Sequence, residues 1–217
     1  AIPAVESRPD VVLRAGVGMR RAAIVGLVLA AGVALVPALH RRERTVGFRN
    51  FRVVTPGVLY RSGQMTPAGF ARVAREYEVG TVVSLRETKD ESGTLADQFE
   101  EDYCRANGIG FHRLAPADWE PVDGVVPGDR NVRAFLAILD APTTRRPVLV
   151  HCFAGIHRTG AHCAVYRVEY DGWSPAEAIA EMKHSGGPRA TFAGNLLNYL
   201  TAYTSRRTPI VAAPAVP

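Results

Sequence analysis

The segment from Pro147 to Gly160 constrains the fold more than any other part of the sequence. Its first five residues, Pro147 to His151, form a mainly apolar run with the length of a buried β-strand. A short loop that contains Gly155 follows, and the pattern then changes to that of a helix. A buried strand that leads directly into a helix is typical of α/β folds. We therefore expect this segment to lie within such a fold.

The chain from Val46 to about Arg206 repeats this alternation of strand and helix. Four further strands are predicted, two of them as a hairpin, over residues 51–54, 58–60, 81–85 and 111–114. Helices are predicted to begin at Thr66, Thr94, Asp129 and Ser174, and a last apolar stripe is formed by Leu196, Leu197, Leu200 and Tyr203. The pattern predicts one α/β domain over residues 46–206, with a central, mostly parallel sheet flanked by helices.

Within the eight residues 152–159, the loop between the strand and the helix combines a candidate nucleophile, an anion-binding backbone and a cationic side chain. A strand-to-helix turn directs backbone N–H groups and the positive end of the helix dipole into one concavity, which suits an anion. The thiolate of Cys152 would be stabilised there, so that its pKa falls below the usual value of about 8.5. Arg158 can bind two oxygens of a tetrahedral anion, and the hydroxyl of Thr159 can hydrogen-bond the thiolate.

The run HCFAGIHRTG, residues 151–160, matches the phosphate loop HCxxGxxRTG of the cysteine-based protein tyrosine phosphatase superfamily. With the segments FRVV (51–54), LYRSGQ (59–64) and VVSLR (82–86), the region from Phe48 to Tyr203 resembles the compact dual-specificity or atypical phosphatases of bacteria, plants and fungi. The resemblance implies that Cys152 is the nucleophile, that Arg158 clamps the phosphate and that Thr159 helps to break down the phosphocysteine. It implies no metal and no organic cofactor, and it assigns phosphate binding to Phe153, Ala154, Gly155, Ile156, His157 and Arg158.

Phosphate ester hydrolysis of this kind needs a general acid to protonate the leaving oxygen. In the superfamily the acid is an aspartate on a mobile loop a few tens of residues before the cysteine, and residues 115–124 occupy that place. Asp118 is the preferred candidate, because it closely follows the preceding strand and Trp119 beside it can pack the loop. Glu120 and Asp123 are the alternatives.

Several other polar residues near these segments allow two interpretations. Asp129 is explained as the N-cap of the helix that it begins. His151 would orient the loop through hydrogen bonds rather than bind a metal. Cys163 is expected to pack in the core, although it could trap an oxidised nucleophile as a disulfide. Arg61 and Arg86 could line the mouth of the site or pair with nearby acids.

The charge distribution argues against a nucleic-acid partner. The chain carries a net charge of +5, but residues 46–206 contain 18 basic and 18 acidic residues. The excess lies near the ends of the chain, so no basic groove is predicted. The three cysteines are too few for a disulfide framework, and their spacing fits no zinc site.

Residues 22–39 form an uncharged apolar run of 18 residues between arginines. As a helix the run would measure about 27 Å, just enough to cross a hydrocarbon core of about 30 Å. We expect a single-pass N-terminal membrane anchor after a disordered leader, residues 1–21; a cleaved signal and a buried helix are the alternatives. A free thiolate favours the cytoplasmic side slightly. Residues 207–217 are expected to be a flexible tail.

The resemblance implies a cysteine-dependent phosphatase whose substrate is a phosphorylated protein or a small phosphomonoester. Relatives that act on inositol polyphosphates commonly carry a lysine in the phosphate loop, whereas the variable positions here are Phe153, Ala154, Ile156 and His157. We therefore expect phosphotyrosine or a general phosphomonoester as substrate. A catalytically weak phospho-binding module, an inositol (pyro)phosphate phosphatase, and an arsenate reductase or sulfurtransferase are the alternatives.

Overall fold

The structure is a computed structural model that describes residues 47–207 except 88, 90 and 189. The predicted leader, the apolar run 22–39 and residues 208–217 of the tail lie outside the described residues. Within the part that is described, no helix has both the length and the apolar character needed to cross a membrane. The membrane anchor therefore stays a prediction.

The described residues form one five-stranded sheet with β5 at its centre. The strands are β1 (Arg52–Thr55), β2 (Leu59–Gly63), β3 (Thr81–Ser84), β4 (Gly110–Arg113) and β5 (Val148–Cys152), in the order β1-β2-β5-β3-β4. Only the hairpin pair β1 and β2 is antiparallel, and the other three neighbouring pairs are parallel. The predicted α/β fold with a mostly parallel sheet is therefore confirmed.

Helices cover both faces of this sheet. The helices are α1 (Pro67–Glu76), α2 (Gln98–Ala106), α3 (Asp129–Asp140), α4 (His157–Tyr170), α5 (Pro175–Gly186) and α6 (Gly194–Thr201). Alternate residues of a strand point to opposite faces, so Leu149 of β5 packs with α1 and α2, whereas Val148 and Val150 pack with the other four helices. The strand that ends at the predicted nucleophile is thus buried on both sides.

Two predicted helix starts are confirmed by their caps. The hydroxyl of Thr66 accepts a hydrogen bond from Gly69 N at 3.2 Å, with Pro67 at the first helical position. Ser174 and Glu177 form the predicted capping box, in which each side chain binds the other's backbone N–H. Local residue chemistry decided these boundaries.

Tertiary contacts change the predicted start of one helix and the predicted N-cap of another. Helix α2 begins at Gln98 rather than at Thr94, since the buried carboxylate of Asp97 is bound by Ser84 Oγ at 2.5 Å. Helix α3 begins at Asp129 as predicted, but its N-cap is Gly128 rather than Asp129. The Asp129 carboxylate instead accepts a hydrogen bond from Tyr199 Oη at 2.7 Å and so ties α3 to α6.

Truncation of a central strand should cost far more than the same truncation at the sheet edge. Val82 in β3 is fully buried, whereas Val53 in β1 is 43% exposed. We expect Val82→Ala to lower the free energy of unfolding by about 2 kcal/mol through lost burial and a cavity. The matched change Val53→Ala should cost under about 0.5 kcal/mol. Urea unfolding of both variants measures the difference, and equal losses would contradict the assigned sheet order.

Candidate active site

Cys152 is the last residue of β5 and lies at the carboxyl edge of the sheet between two parallel neighbours. It pairs with Gly63 of β2, and the residue before it, His151, pairs with Ser84 of β3. Its side chain is only 3% exposed. The next segment turns directly into α4, which begins at His157. The nucleophile predicted from the sequence therefore lies at the base of a concavity between a strand and a helix N-terminus.

Three backbone carbonyls of this loop are held by other segments of the chain. The acceptors and donors are Phe153 O with Gln64 N (3.0 Å), Ala154 O with Asn50 Nδ2 (2.8 Å), and Gly155 O with Arg61 Nη2 (2.8 Å). In a trans peptide the C=O and the following N–H point in opposite directions. The N–H groups that follow these carbonyls therefore turn away from the supporting segments. One of them, Gly155 N–H, lies 3.3 Å from Cys152 Sγ.

Glycine is required at position 155 for two independent reasons. Its φ of +71° lies in the left-handed region that other residues rarely adopt. In addition, a Cβ there would lie 2.4 Å from Gly63 N, which no small adjustment could relieve. The loop can therefore approach β2 closely only because Gly155 has no side chain.

Burial raises the pKa of the Cys152 thiol, but the groups around it more than offset this effect. The hydroxyl and backbone N–H of Thr159, the N–H of Gly155 and the charge of Arg158 all favour the thiolate, so the pKa lies below its usual value. Thr159 is fully buried. The predicted neighbours of the thiolate are thus brought together by the first turn of α4.

The guanidinium of Arg158 reaches across the concavity to the end of β3. Its Nη1 donates a hydrogen bond to Leu85 O at 2.7 Å. This bond uses one of the five N–H groups of the side chain, so the others remain able to bind an anion. The guanidinium of Arg158, the residue predicted to clamp the phosphate, is therefore held beside the residue that follows β3.

His151 is fully buried beside the nucleophile, and its Nε2 lies 2.8 Å from Glu100 Oε2. Burial lowers the pKa of His151, but the negative charge of Glu100 raises it overall above its usual range. Sequence reasoning missed Glu100, because a charged residue in a short amphipathic helix ordinarily indicates the solvent face. Sequence reasoning also missed Asn50 and Gln64. The one local signal is at Asn50, whose positive φ is a conformation that asparagine adopts more readily than most residues.

The three candidate acids lie in the loop that follows β4. Asp118 is exposed, and its side chain has no hydrogen bond or ion pair with any residue that the structure describes. Glu120 accepts a hydrogen bond from Asn195 Nδ2 at 2.9 Å. Asp123 stands at φ +50° in a turn. Trp119 packs the loop as predicted, with its ring 5.0 Å from that of Tyr199.

The remaining candidates lie around the loop in different roles. Arg61 is a buried support rather than a lining of the mouth, since it binds Gly155 O from within the core. His157 is exposed and its Nε2 lies 2.7 Å from Thr191 O, outside the concavity. Cys163 is buried, which raises the pKa of its thiol to about 11. Among the described residues no cluster of His, Cys, Asp and Glu could hold a metal ion.

A Cys-x5-Arg loop at the carboxyl end of a central parallel strand defines the class as a cysteine-based protein tyrosine phosphatase. The family model described as "DSP-PTPase phosphatase fused to NAD+ Kinase" matches residues 48–190, about two thirds of the chain. The chain therefore belongs to this family of dual-specificity-type phosphatases.

One curated relative is the dual specificity protein phosphatase TpbA of Pseudomonas aeruginosa, which is 41% identical over 58 residues. This match covers 27% of each chain, so the chain spans about a quarter of the length of the curated relatives it matches. The crystal structure of TpbA is 28% identical, with a TM-score of 0.53 over 70% of this chain and 83% of TpbA.

The core catalytic domain of the PP-IP phosphatase SIW14 from S. cerevisiae shares the fold, with a TM-score of 0.55 at 21% identity. That comparison covers 73% of this chain and 87% of the SIW14 chain.

Removing the hydroxyl of Thr159 should weaken the thiolate of Cys152. We expect Thr159→Val to raise the pKa of Cys152, because the hydrogen bond that favours the charged form is lost. The rate of alkylation by iodoacetamide should then reach its midpoint at higher pH, while Thr159→Ser should keep the original midpoint. Cys104, whose pKa burial raises to about 12, and Cys163 should contribute little to this rate. An unchanged midpoint in Thr159→Val would contradict the assignment.

The pair of His151 and Glu100 should make stability depend on pH. Because the pKa of His151 is raised in the folded state, the pair stabilises the fold fully below pH of about 6.5 and less as pH rises through the raised pKa. In Glu100→Gln, burial dominates and the dependence should reverse, so that stability is lost as pH falls below about 6.5.

Urea unfolding between pH 5 and 9 measures whether this pH dependence of stability reverses. Glu101→Gln is the matched control, because Glu101 binds Arg113 and Arg105 instead of His151. The same pH slope in Glu100→Gln and the parent would show that the pair is uncharged throughout.

Proposed function

We propose that this protein is a cysteine-dependent phosphatase that hydrolyses phosphotyrosine or other phosphomonoesters through a phosphocysteine intermediate. The observation that carries the proposal is the arrangement of the loop: a buried thiol of lowered pKa, inward N–H groups and a guanidinium above them. An isolated buried cysteine is ordinarily inert, whereas the groups around this one lower its pKa and so favour the thiolate. Family membership supports the same reaction class.

In the first step a lone pair of Cys152 Sγ attacks phosphorus in line with the ester bond. The bond between phosphorus and the leaving oxygen breaks, and its electron pair stays with that oxygen, which takes a proton from Asp118. Arg158 and the loop N–H groups bind the equatorial oxygens, where negative charge develops. The products of this step are the free alcohol or phenol and the phosphocysteine.

In the second step water attacks the phosphocysteine. Asp118, now deprotonated, takes the proton of the water, and the bond between sulfur and phosphorus breaks with its electron pair returning to Cys152 Sγ. The leaving thiolate is stabilised by the hydrogen bonds from Thr159 and Gly155 that lower its pKa. The same groups therefore assist both formation and release of the nucleophile.

Asp118 is the general acid that the geometry favours. The strands β5, β3 and β4 are parallel neighbours, so the loop after β4 starts at the same sheet edge as Cys152, two strand spacings or about 10 Å away. Glu120 is engaged by Asn195, and Asp123 lies in the turn closed by Val122 and Val125. The Asp118 side chain, exposed and without a described partner, can turn toward a bound substrate.

Phosphotyrosine is the substrate that the comparisons favour. A crystal structure of a TpbA variant in complex with phosphotyrosine is similar to this chain at 26% identity, with a TM-score of 0.52. It covers 71% of this chain and 84% of that one. Because both chains carry the fold, we infer that the loop here accepts an aryl phosphate as well.

The experiment is phosphate release by the full chain and its variants from 4-nitrophenyl phosphate and from a phosphotyrosine peptide. Cys152→Ser should lose at least about 10³-fold of kcat on both substrates, because no other described group replaces the thiolate. Asp118→Asn should lose about 10²-fold or more on the peptide and less on the nitrophenyl ester, whose leaving group needs little protonation.

The variants Glu120→Gln and Asp123→Asn are matched controls for the acid and should keep activity within about threefold. A large loss in one of them, with Asp118→Asn active, would move the role of the acid to that residue. Full activity in Cys152→Ser would overturn the mechanism. Binding of vanadate without turnover by the parent chain would indicate a phospho-binding module.

A further inference from the structure

His162 is a buried polar residue of α4 that the proposed mechanism does not use. It lies one helical turn after Arg158 and is only 2% exposed. Its Nδ1 lies 2.8 Å from Arg158 O. Because a carbonyl oxygen can only accept a hydrogen bond, Nδ1 carries a proton and is the donor. His162 is therefore tied to the residue that is predicted to clamp the phosphate.

The imidazole of His162 is uncharged at neutral pH. Burial lowers its pKa to about 4, although the backbone of Arg158 and of Asn131 opposes this effect. An apolar side chain would fill the same buried position without the cost of burying a polar ring. The hydrogen bond to Arg158 O is therefore what a histidine supplies at this position.

The ring of His162 also contacts the loop that carries the proposed acid. Its centroid lies 6.4 Å from that of Trp119, the residue directly after Asp118, with 69° between the two planes. It lies 5.3 Å from the ring of Phe135 on α3. Edge-to-face contacts of this kind are a favoured arrangement of aromatic rings. One side chain thus touches both the indole beside the acid and the backbone of the clamp.

The backbone of the acid loop is held at the same place. Gly128 N donates a hydrogen bond to Asp118 O at 2.7 Å. The ring of Trp119 lies so close to Gly128 that a Cβ there would be 2.8 Å from it. The Asp118 carboxylate itself is exposed. Its position therefore depends on how the adjacent indole is packed.

We propose that His162 is a positioning residue that fixes the indole of Trp119, and with it Asp118, relative to Arg158. The inference rests on the proposed function, because that function makes Asp118 the acid and Arg158 the clamp. The acid must lie within hydrogen-bond distance of the leaving oxygen while the clamp holds the phosphoryl group. A misplacement of about 1 Å can cost about 100-fold in rate. His162 keeps this separation constant and takes no part in the proton transfers.

Steady-state kinetics of the full chain with a phosphotyrosine peptide and with 4-nitrophenyl phosphate test the inference. His162→Ala should lower kcat at least about tenfold for the peptide and less than about threefold for the nitrophenyl ester, because only the peptide has a leaving group that depends on the acid. KM for both substrates should stay within about threefold. The matched control is Val165→Ala, which truncates a fully buried residue of the same helix and should leave the ratio of the two kcat values within about twofold.

A residue that acts through Asp118 should have no effect on the reaction once that acid is removed. In the Asp118→Asn background, His162→Ala should therefore change kcat for the peptide less than about twofold. A tenfold fall in that background would overturn the inference, because it would show an action that bypasses the acid. An unchanged ratio of the two kcat values in His162→Ala alone would overturn it as well.

The outcomes separate this inference from the proposed function. Loss of activity in Cys152→Ser and loss on the peptide in Asp118→Asn, together with a parental ratio in His162→Ala, would overturn the inference alone. No phosphate release by the parent chain, or full activity in Cys152→Ser, would overturn the proposed function and the inference with it.

Fluorescence of Trp119 gives a second readout that does not depend on turnover. The chain has two tryptophans, so Trp173→Phe leaves Trp119 as the single reporter. In that background His162→Ala should increase the quenching of Trp119 by acrylamide, whereas Val165→Ala should not. Equal quenching in His162→Ala and its parent would contradict the contact on which the inference depends.

A variant that keeps the bulk of the ring covers the case in which His162→Ala fails to fold. His162→Phe retains a ring but cannot donate to Arg158 O. We expect the ratio of the two kcat values to fall at least about threefold, because the ring is no longer tied to the clamp. A parental ratio in His162→Phe would overturn the role of the hydrogen bond.

Discussion

The site depends on the direction of three peptide groups in the loop after Cys152. A peptide group can turn its N–H toward an anion only if its carbonyl finds a donor on the other side, because a buried carbonyl without a donor is costly. Here the donors are Asn50, which precedes β1, Arg61 within β2, and Gln64 directly after β2. The hairpin at the edge of the sheet is thus a support for the anion site, and Gly155 permits the close approach that the support needs.

The electrostatics of the loop follow from this backbone arrangement. Burial alone would raise the pKa of the Cys152 thiol, and the N–H groups, Thr159 and Arg158 together lower it below its usual value. On the far side of β5, Glu100 of α2 lies 2.8 Å from His151 Nε2 and raises the pKa of that imidazole. Helices on both faces of the sheet therefore supply the polar groups that shift the pKa values of the neighbouring residues His151 and Cys152.

Net charge proved a poor guide to the charge of the site. Residues 46–206 are formally neutral, yet Arg49, Arg86 and Arg158 meet at one mouth without described acidic partners. Elsewhere acids and arginines pair with each other, as Arg167 does with Glu181 and Asp171. These three arginines therefore form a positive cluster at the loop although the domain as a whole is neutral.

The features that depend on contiguous residues could be predicted from the sequence: the strand, loop and helix of 147–160, the caps at Thr66 and Ser174, and the order of strands and helices along the chain. These follow from side-chain period and local hydrogen bonding, which need no distant partner. The position of β5 between β2 and β3, by contrast, depends on the packing of the whole domain. That order brings Asn50, Glu100 and Arg86 to the loop from separations of about 50 to 100 residues. Their roles could not be predicted from the sequence, because the function of a polar side chain depends on which neighbours the packing places around it.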